Sequence, residues 1–278
     1  MKILITGASG YLGRGIVDEL IGMGHDVTAT DIRDCGINKE AKIVVEDLFS
    51  IKDPYKYFGE PDVLLHLAWR NGFVHNADTH LADLSEHYRF IKNMIDRGLK
   101  SCCVMGTMHE IGFYEGSINE NTPCNPMNLY GIAKNALRRS IELYAASKGI
   151  AFLWLRGYYI VSGDTRGGSI FSKIAQANAE GKREFPFTMG KNQYDYLDYK
   201  EFCEQVAVAV SQNDICGIIN ICSGRPEELG SRVERFIKEN NYDIKLQYGA
   251  FPDRPYDSKA VWGDNRKIQA IFNANKRE

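Results

Sequence analysis

The chain of 278 residues contains no run approaching 18 consecutive apolar residues, so no transmembrane helix is expected. It carries no basic excess: 34 lysines and arginines stand against 36 aspartates and glutamates, a net charge of −2. Without surplus positive charge to neutralise a phosphate backbone, nucleic acid is not an expected partner. No CxxC pair occurs, and the seven cysteines (35, 102, 103, 124, 203, 216 and 222) are odd in number. They read as reduced thiols of a reducing compartment, not as a disulfide framework. No internal repeat or low-complexity tract is visible. Lys2 precedes an apolar run, but Ile3-Leu4-Ile5 gives way after three residues to Thr6-Gly7, too short for the core of a signal peptide. A cytoplasmic chain is expected.

What is present is ordinary globular material, 44% apolar and 25% charged, at a length that suits one large domain or one with a small appendage. Short β-branched runs at 2–6, 26–30, 43–45, 63–66 and 102–105 alternate with helix-like stretches at 11–23, 79–98 and 129–148, and a further strand is expected at 151–156. That alternation predicts an α/β fold of Rossmann type, a doubly wound parallel sheet with helices on both faces. After Arg156 the texture changes. A glycine-rich stretch over 162–169 precedes a helix near 170–180, and prolines at 186, 226, 252 and 255 cut the remainder into short pieces. The expected division is a first domain over 1–160 and a smaller C-terminal lobe over 161–278, with segments such as 201–222 returning to the main sheet.

The opening segment Lys2-Ile3-Leu4-Ile5-Thr6-Gly7-Ala8-Ser9-Gly10-Tyr11-Leu12-Gly13 runs from strand into helix, with glycines at 7, 10 and 13. At such a turn the backbone can approach a pyrophosphate closely, and the helix N-terminus offers free N–H groups and the positive end of its dipole. Asp31 ends the second strand, 18 residues after Gly13, where a carboxylate can hold the ribose hydroxyls of an adenosine. The combination marks 1–160 as dinucleotide-binding and 161–278 as mostly substrate-binding. Gly7, Gly10, Tyr11, Leu12, Gly13, Asp31 and Ile32 are the cofactor-side residues. Asp31 favours NAD over NADP because it repels a 2′-phosphate, whereas Arg33, two residues on, is a cation able to pair with one.

With these residues in place, the chain resembles the extended short-chain dehydrogenases/reductases, and among them the NAD-dependent epimerases and dehydratases of nucleotide sugars, over most of its length. Glu46-Asp47-Leu48 resembles the family's Asp-Leu after the third strand, which implies an adenine contact by Asp47 with Leu48 beside it. His66-Leu67-Ala68-Trp69 resembles its His-Leu-Ala-Ala, which implies that Leu67, Ala68 and Trp69 lie along the cofactor. Tyr194-Asp195-Tyr196-Leu197 resembles its Arg-Asp-Phe-Ile with tyrosine in place of the arginine. Asn220 and Ser223, within 217–224, resemble its Asn-Ile-Gly-Ser-Gly, and Arg254-Pro255-Tyr256-Asp257 its Arg-Pro-Gly-Asp. Arg254 thereby carries an implied bidentate hold on a substrate diphosphate. After the sixth strand, the stretch from Leu155 to Gly163 lacks the family's asparagine and leaves Tyr158 on the cofactor side.

The family's catalytic pair is Tyr-x-x-x-Lys, and the pattern occurs four times: Tyr88/Lys92, Tyr130/Lys134, Tyr144/Lys148 and Tyr196/Lys200. Position selects among them. Only Tyr130 and Lys134 open a helix soon after the fifth strand, whose end carries Thr107. A spacing of four puts both on one helix face. Tyr144, further along the same helix by ~21 Å at ~1.5 Å per residue, is out of reach. The resemblance implies that Tyr130 gives a proton to a sugar ketone oxygen as hydride reaches the carbon, with Thr107 bonded to the same oxygen. Lys134 as an ammonium would draw the phenol pKa, ordinarily about 10, towards working pH and hold the nicotinamide ribose.

Met108 and His109 follow Thr107 where 4,6-dehydratases of the family carry Asp-Glu, and where C3/C5-epimerising branches carry a cysteine first. Gly106-Thr107-x-x-Glu110-x-Gly112 instead resembles reductases of nucleotide-linked 4-keto-6-deoxy sugars. The expected activity is therefore NAD(P)H-dependent reduction of a nucleoside-diphosphate 4-keto-6-deoxy sugar, with Met108 and His109 against the sugar. The alternatives are an NAD-dependent 4-epimerase using the same trio, and a non-catalytic dinucleotide-sensing protein. A homodimer through the helix carrying Tyr130 is expected by the same resemblance. His75, His80 and His87 are spaced by five and seven, which matches no metal-ligand pattern, and read as solvated side chains of a helix over 77–98. His66 reads as a satisfied, semi-buried strand end.

Overall fold

The computed structural model describes residues 1–165, 167–252 and 257–275. The first part of the chain forms β1 (Lys2–Thr6), α1 (Tyr11–Gly22), β2 (Asp26–Asp31), β3 (Lys42–Val45), α2 (Pro54–Tyr57) and β4 (Val63–His66). Then come α3 (Thr79–Ala82), α4 (Leu84–Arg97), β5 (Ser101–Thr107), β6 (Gly116–Ile118), α5 (Leu129–Lys148), β7 (Ala151–Gly157) and β8 (Tyr159–Val161). The remainder holds α6 (Ile170–Ala179), β9 (Glu184–Pro186), β10 (Gln193–Asp198), α7 (Tyr199–Val210), β11 (Gly217–Ile221), β12 (Pro226–Glu228), α8 (Leu229–Glu239), β13 (Lys245–Gln247), β14 (Ala260–Gly263) and α9 (Arg266–Asn275).

Seven strands pair in parallel in the order β11-β7-β5-β4-β1-β2-β3. From β1 the chain winds outward through β2 and β3, then returns to β4 and winds the other way. The order reverses between β1 and β4, where Thr6 pairs with His66 and the two strands end together. A reversal of this kind leaves a crevice at the carboxyl ends of the strands.

The central strands β4 and β5 are buried along their whole length, as expected of parallel strands covered on both faces. Alternate residues serve the two faces. Ile3, Ile5, Leu65 and Leu155 pack against Ile16 and Leu20 of α1, Val206 of α7 and Ile268 of α9. Leu4, Leu64, Val104 and Trp154 face Phe90 and Met94 of α4 and Leu137 and Ile141 of α5. Each such burial stabilises the fold by roughly 1.5–3 kcal/mol before entropy is counted.

A smaller sheet, β12-β10-β14-β6 with β8 beside β10, sits over one end of the large one. It shares a core of Phe171, Ile174, Tyr196, Val233 and Phe236 with α6 and α8. Asp195, wholly buried on β10, accepts hydrogen bonds from Ser223 N and Oγ, Gly224 N and Gly263 N at 2.7–3.1 Å. That carboxylate ties β10 to the loop leaving β11 and to β14. The helix expected across 79–98 is interrupted at Asp83, whose carboxylate takes two hydrogen bonds from Arg70 at 2.6 Å. All seven cysteines are free. Among the described residues no helix is long and apolar enough to cross a membrane.

Candidate active site

A cleft of about 1820 Å³ opens at the carboxyl ends of β1, β4 and β5. Its first half is built on the β1–α1 turn. Gly7 has φ +71°, and a Cβ there would lie 2.7 Å from Ala68 N; a Cβ on Gly13 would lie 2.3 Å from Gly7 O. Only glycine permits this close winding. Gly10 caps α1 without a side-chain hydrogen bond, so no side chain covers the first-turn N–H groups, an arrangement suited to an anion such as a pyrophosphate. Asp31 stands alongside, its carboxylate accepting from Ser9 N at 3.0 Å and Ile32 N at 2.7 Å. Tyr11, Leu12, Ile32, Asp47, Leu48, Leu67, Ala68, Trp69 and Tyr158 all line the same cleft. Asp47 is held there by capping Phe49 N at 3.0 Å. Arg33 is exposed and is not part of the cleft lining. The glycine cradle, the bare helix start and the carboxylate at the end of β2 fit a dinucleotide, and the carboxylate fits a free ribose better than a phosphorylated one.

The second half is assembled where β5 meets α5. Thr107 ends β5 and starts a turn over 108–110: Thr107 N donates to Glu110 Oε1 at 2.7 Å, and His109 N donates to Thr107 Oγ1 at 3.3 Å, a reciprocal cap that fixes both backbone and hydroxyl. Glu110 is wholly buried, accepts from Trp154 Nε1 at 2.8 Å, and has Arg156 and Arg138 at 3.5 and 3.6 Å. Asn128 caps α5 through its Oδ1 to Gly131 N at 2.8 Å, so Tyr130 and Lys134 fall in the first turns on one face. A Cβ at Gly131 would lie 2.3 Å from His109 O, so glycine lets the helix start lie against that turn. Lys134 Nζ donates to Met105 O at 2.8 Å, sits 4.0 Å from the Trp69 ring centroid and 6.0 Å from that of Tyr130. The other Tyr-x-x-x-Lys pairs lie elsewhere. Tyr88 and Tyr144 pack on each other between α4 and α5, and Tyr196 belongs to the core of the small sheet.

Burial dominates the electrostatics of the pair. It pushes the Lys134 ammonium down to about 7, with Glu110 opposing. It pushes the Tyr130 phenol up to about 12, with Glu110 adding and a hydrogen bond to Thr107 opposing. Lys134 Nζ is bonded to the Met105 carbonyl, and desolvation of the phenolate is the largest influence on Tyr130.

The histidines depart furthest from expectation. His80 and His87 are 1% and 2% exposed, not solvated, and His66 is fully buried. The Trp69 indole stacks on His87 at 4.5 Å and on His80 at 6.1 Å, and its Nε1 donates to His80 Nδ1 at 3.0 Å. His66 bridges Thr6 Oγ1 at 2.9 Å and His87 Nδ1 at 2.8 Å. Burial holds His87 down at about 3 and His66 well below the ordinary imidazole value, so both are neutral. His75 and His109 line the cleft beside Tyr130, their rings 4.3 Å apart. One signal was available: four of the six histidines fall between 75 and 109, in the stretch joining the fourth strand to the helix of Tyr130. Met108, Phe73, Phe113 and Met127 also line this half. Arg254 lies outside the described residues. Among the described residues no group of three side chains suits a metal ion.

The sequence matches the model of the NAD dependent epimerase/dehydratase family over residues 3–222. The chain belongs to that family. As a member of the NAD dependent epimerase/dehydratase family it is an NAD-dependent oxidoreductase-type enzyme of the extended short-chain kind, with NAD as cofactor. It is 42% identical over 269 residues to a dTDP-6-deoxy-L-talose 4-dehydrogenase (NAD(+)) of Aggregatibacter actinomycetemcomitans, spanning 95% of this chain and 99% of that one. Its fold is similar to that of a UDP-N-acetylglucosamine 4-epimerase from Methanobrevibacter ruminantium, with TM-score 0.84 and 19% identity over 97% and 91% of the two chains. It is likewise similar to a Thermus thermophilus UDP-glucose 4-epimerase solved with NAD, with TM-score 0.81 and 18% identity over 98% and 93%.

Proposed function

We propose that this family member is an NADH-dependent reductase of a nucleoside-diphosphate 4-keto-6-deoxyhexose, acting reversibly at C4. The observation that carries the reading is that Thr107 and Tyr130 line one half of a cleft whose other half fits a dinucleotide, with Lys134 buried directly behind them, its Nζ 6.0 Å from the Tyr130 ring centroid. Bound NADH supplies a hydride. Tyr130, kept protonated by its raised pKa, gives its proton to the C4 oxygen, because an alkoxide is a stronger base than a phenolate. Thr107, its hydroxyl fixed by the turn it caps, bonds the same oxygen, and Lys134 holds the cofactor ribose.

The substrate wall supports a 6-deoxy sugar. Met108, Phe73, Phe113 and Met127 offer a methyl group apolar contact. Dehydration lacks its free acid, because the carboxylate of this turn, Glu110, is buried and engaged. The relative at 42% identity is named for a 4-dehydrogenase of a 6-deoxy sugar, which agrees in position and cofactor. We assign the adenosine ribose to Asp31, the adenine to Asp47 and the diphosphate of the sugar to Arg254. Residues 1–160 serve chiefly the cofactor and 161–278 the sugar nucleotide. Two copies pair through α5, whose exposed Ile132 and Leu143 lie on one stripe.

Mixing the protein with NADH and such a ketosugar should consume reduced nicotinamide in proportion to the sugar, with NADPH the poorer cofactor. Tyr130→Phe should slow this by at least about 10²-fold. No consumption with any nucleotide form of the ketosugar, or a rate indifferent to Tyr130→Phe, would refute the assignment.

A further inference from the structure

Reduction of a ketone at this site removes one proton from Tyr130 in every turnover, and water must replace it before the next. An epimerase, which takes a proton from the sugar and returns it within one cycle, has no such need. Lys134 is poorly placed to carry that proton, being buried, bonded to Met105 O and covered by Trp69. Glu110 is sealed in the core by Thr107, Trp154 and two arginines.

The cleft side of Tyr130 is different. The His75 ring lies nearly parallel to the phenol at 5.7 Å and 11°, the His109 ring is 6.1 Å away, and the two imidazoles are 4.3 Å apart. His75 is half-buried, between the exposed Val74 and Asn76. Both are anchored to the residues that hold the reacting oxygen. Tyr130 N donates to His75 O at 2.9 Å, Leu129 N donates to Asn76 Oδ1 at 3.2 Å, and His109 N donates to Thr107 Oγ1 at 3.3 Å.

We propose that His109 and His75 form a proton relay between the Tyr130 hydroxyl and solvent at the mouth of the cleft. The inference rests on the reductase reading and supplies what that reading requires. The Tyr130 O–H bond breaks as the sugar C4 oxygen gains its proton. The phenolate then takes a proton from one ring nitrogen of His109, the other nitrogen gains one from His75, directly or through a water, and His75 recovers its own from solvent. One proton enters for each hydride transferred, and no imidazolium is stored. Burial keeps the rings neutral: it holds His109 at about 4 with help from His75, and lowers His75 with help from His80. The other ionisable groups facing the pair are Tyr130 of α5 and His80 of α3; Lys134 and Glu110 lie behind Tyr130, enclosed by Trp69 and by Trp154 with the two arginines.

The test is rapid mixing of NADH-loaded protein with excess nucleoside-diphosphate 4-keto-6-deoxyhexose, comparing wild type with His75→Gln, at the solvent end of the relay. The first turnover starts from protonated Tyr130, so one NADH per site should be consumed at the wild-type rate. Steady-state kcat should then fall by at least about tenfold, with KM little changed, and imidazole in the buffer should restore it. His75→Asn, at the same position, serves where His75→Gln does not fold. In wild type, the solvent deuterium isotope effect should be larger in the steady state than in the first turnover. Unchanged kcat, or a first turnover slowed as much as the steady state without imidazole rescue, overturns the relay alone. A wild type that consumes no NADH overturns the reductase reading and the relay with it.

Discussion

Lys134 is a buried lysine, 2% exposed. Its ammonium is held at about 7, below the usual 10.5, because burial is only partly offset by Glu110. A lysine whose folded pKa lies below its unfolded pKa binds fewer protons when folded between those values, so stability rises with pH across about 7 to 10.5. Below pH 7 the cost of the buried charge is felt in full. Lys134→Met should therefore stabilise the cofactor-free protein at pH 6 by roughly 2–4 kcal/mol, and the gain should shrink towards pH 10. Denaturant unfolding at both pH values measures this, and a gain equal at the two would contradict it. The placement of Tyr130 and Lys134 at the start of α5, next to the end of β5, was legible because spacing and position after the fifth strand together single out one pair of four. The burial of His80 and His87 was not, because spacing on a helix does not say which face is covered, and the partner that covers them is the indole of Trp69.

At the scale of elements, the site depends on one short turn. Glu110 satisfies Thr107 N and Trp154 Nε1 and lies against two buried arginines, and Gly106 is needed because a Cβ there would meet Trp154 Nε1 at 2.1 Å. Glu110→Ala removes the partner of two buried guanidinium groups and should destabilise the fold by about 3–5 kcal/mol, measured by denaturant unfolding. A change within 1 kcal/mol would show that the arginines find other partners. The strands at 2–6 and 63–66 and the helix at 129–148 were readable to the residue, because buried parallel strands are continuous apolar runs and the helix is bounded by Asn128 and Gly149. The three-residue strands β6, β8 and β12 were not, being too short to show a period of two.

At the scale of the whole molecule, the small sheet gathers strands from 116–118, 159–161, 193–198, 226–228 and 260–263, a set no local pattern joins. Tyr159, Tyr194, Tyr196 and Val261 of this sheet line the cleft, and the strand-order reversal between β1 and β4 opens its other side. The stripe of Ile132 and Leu143 on α5 leads us to expect a dimer, so Leu143→Glu should halve the particle mass seen by light scattering; an unchanged mass would place any interface elsewhere. The most direct measurement of the central claim uses NADH deuterated at C4 of the nicotinamide, with the product sugar analysed by NMR. Transfer of one deuterium to C4 of a 6-deoxyhexose nucleotide, lost on Tyr130→Phe, is the predicted result. Product without the label, or with it on another carbon, would contradict a C4 reductase.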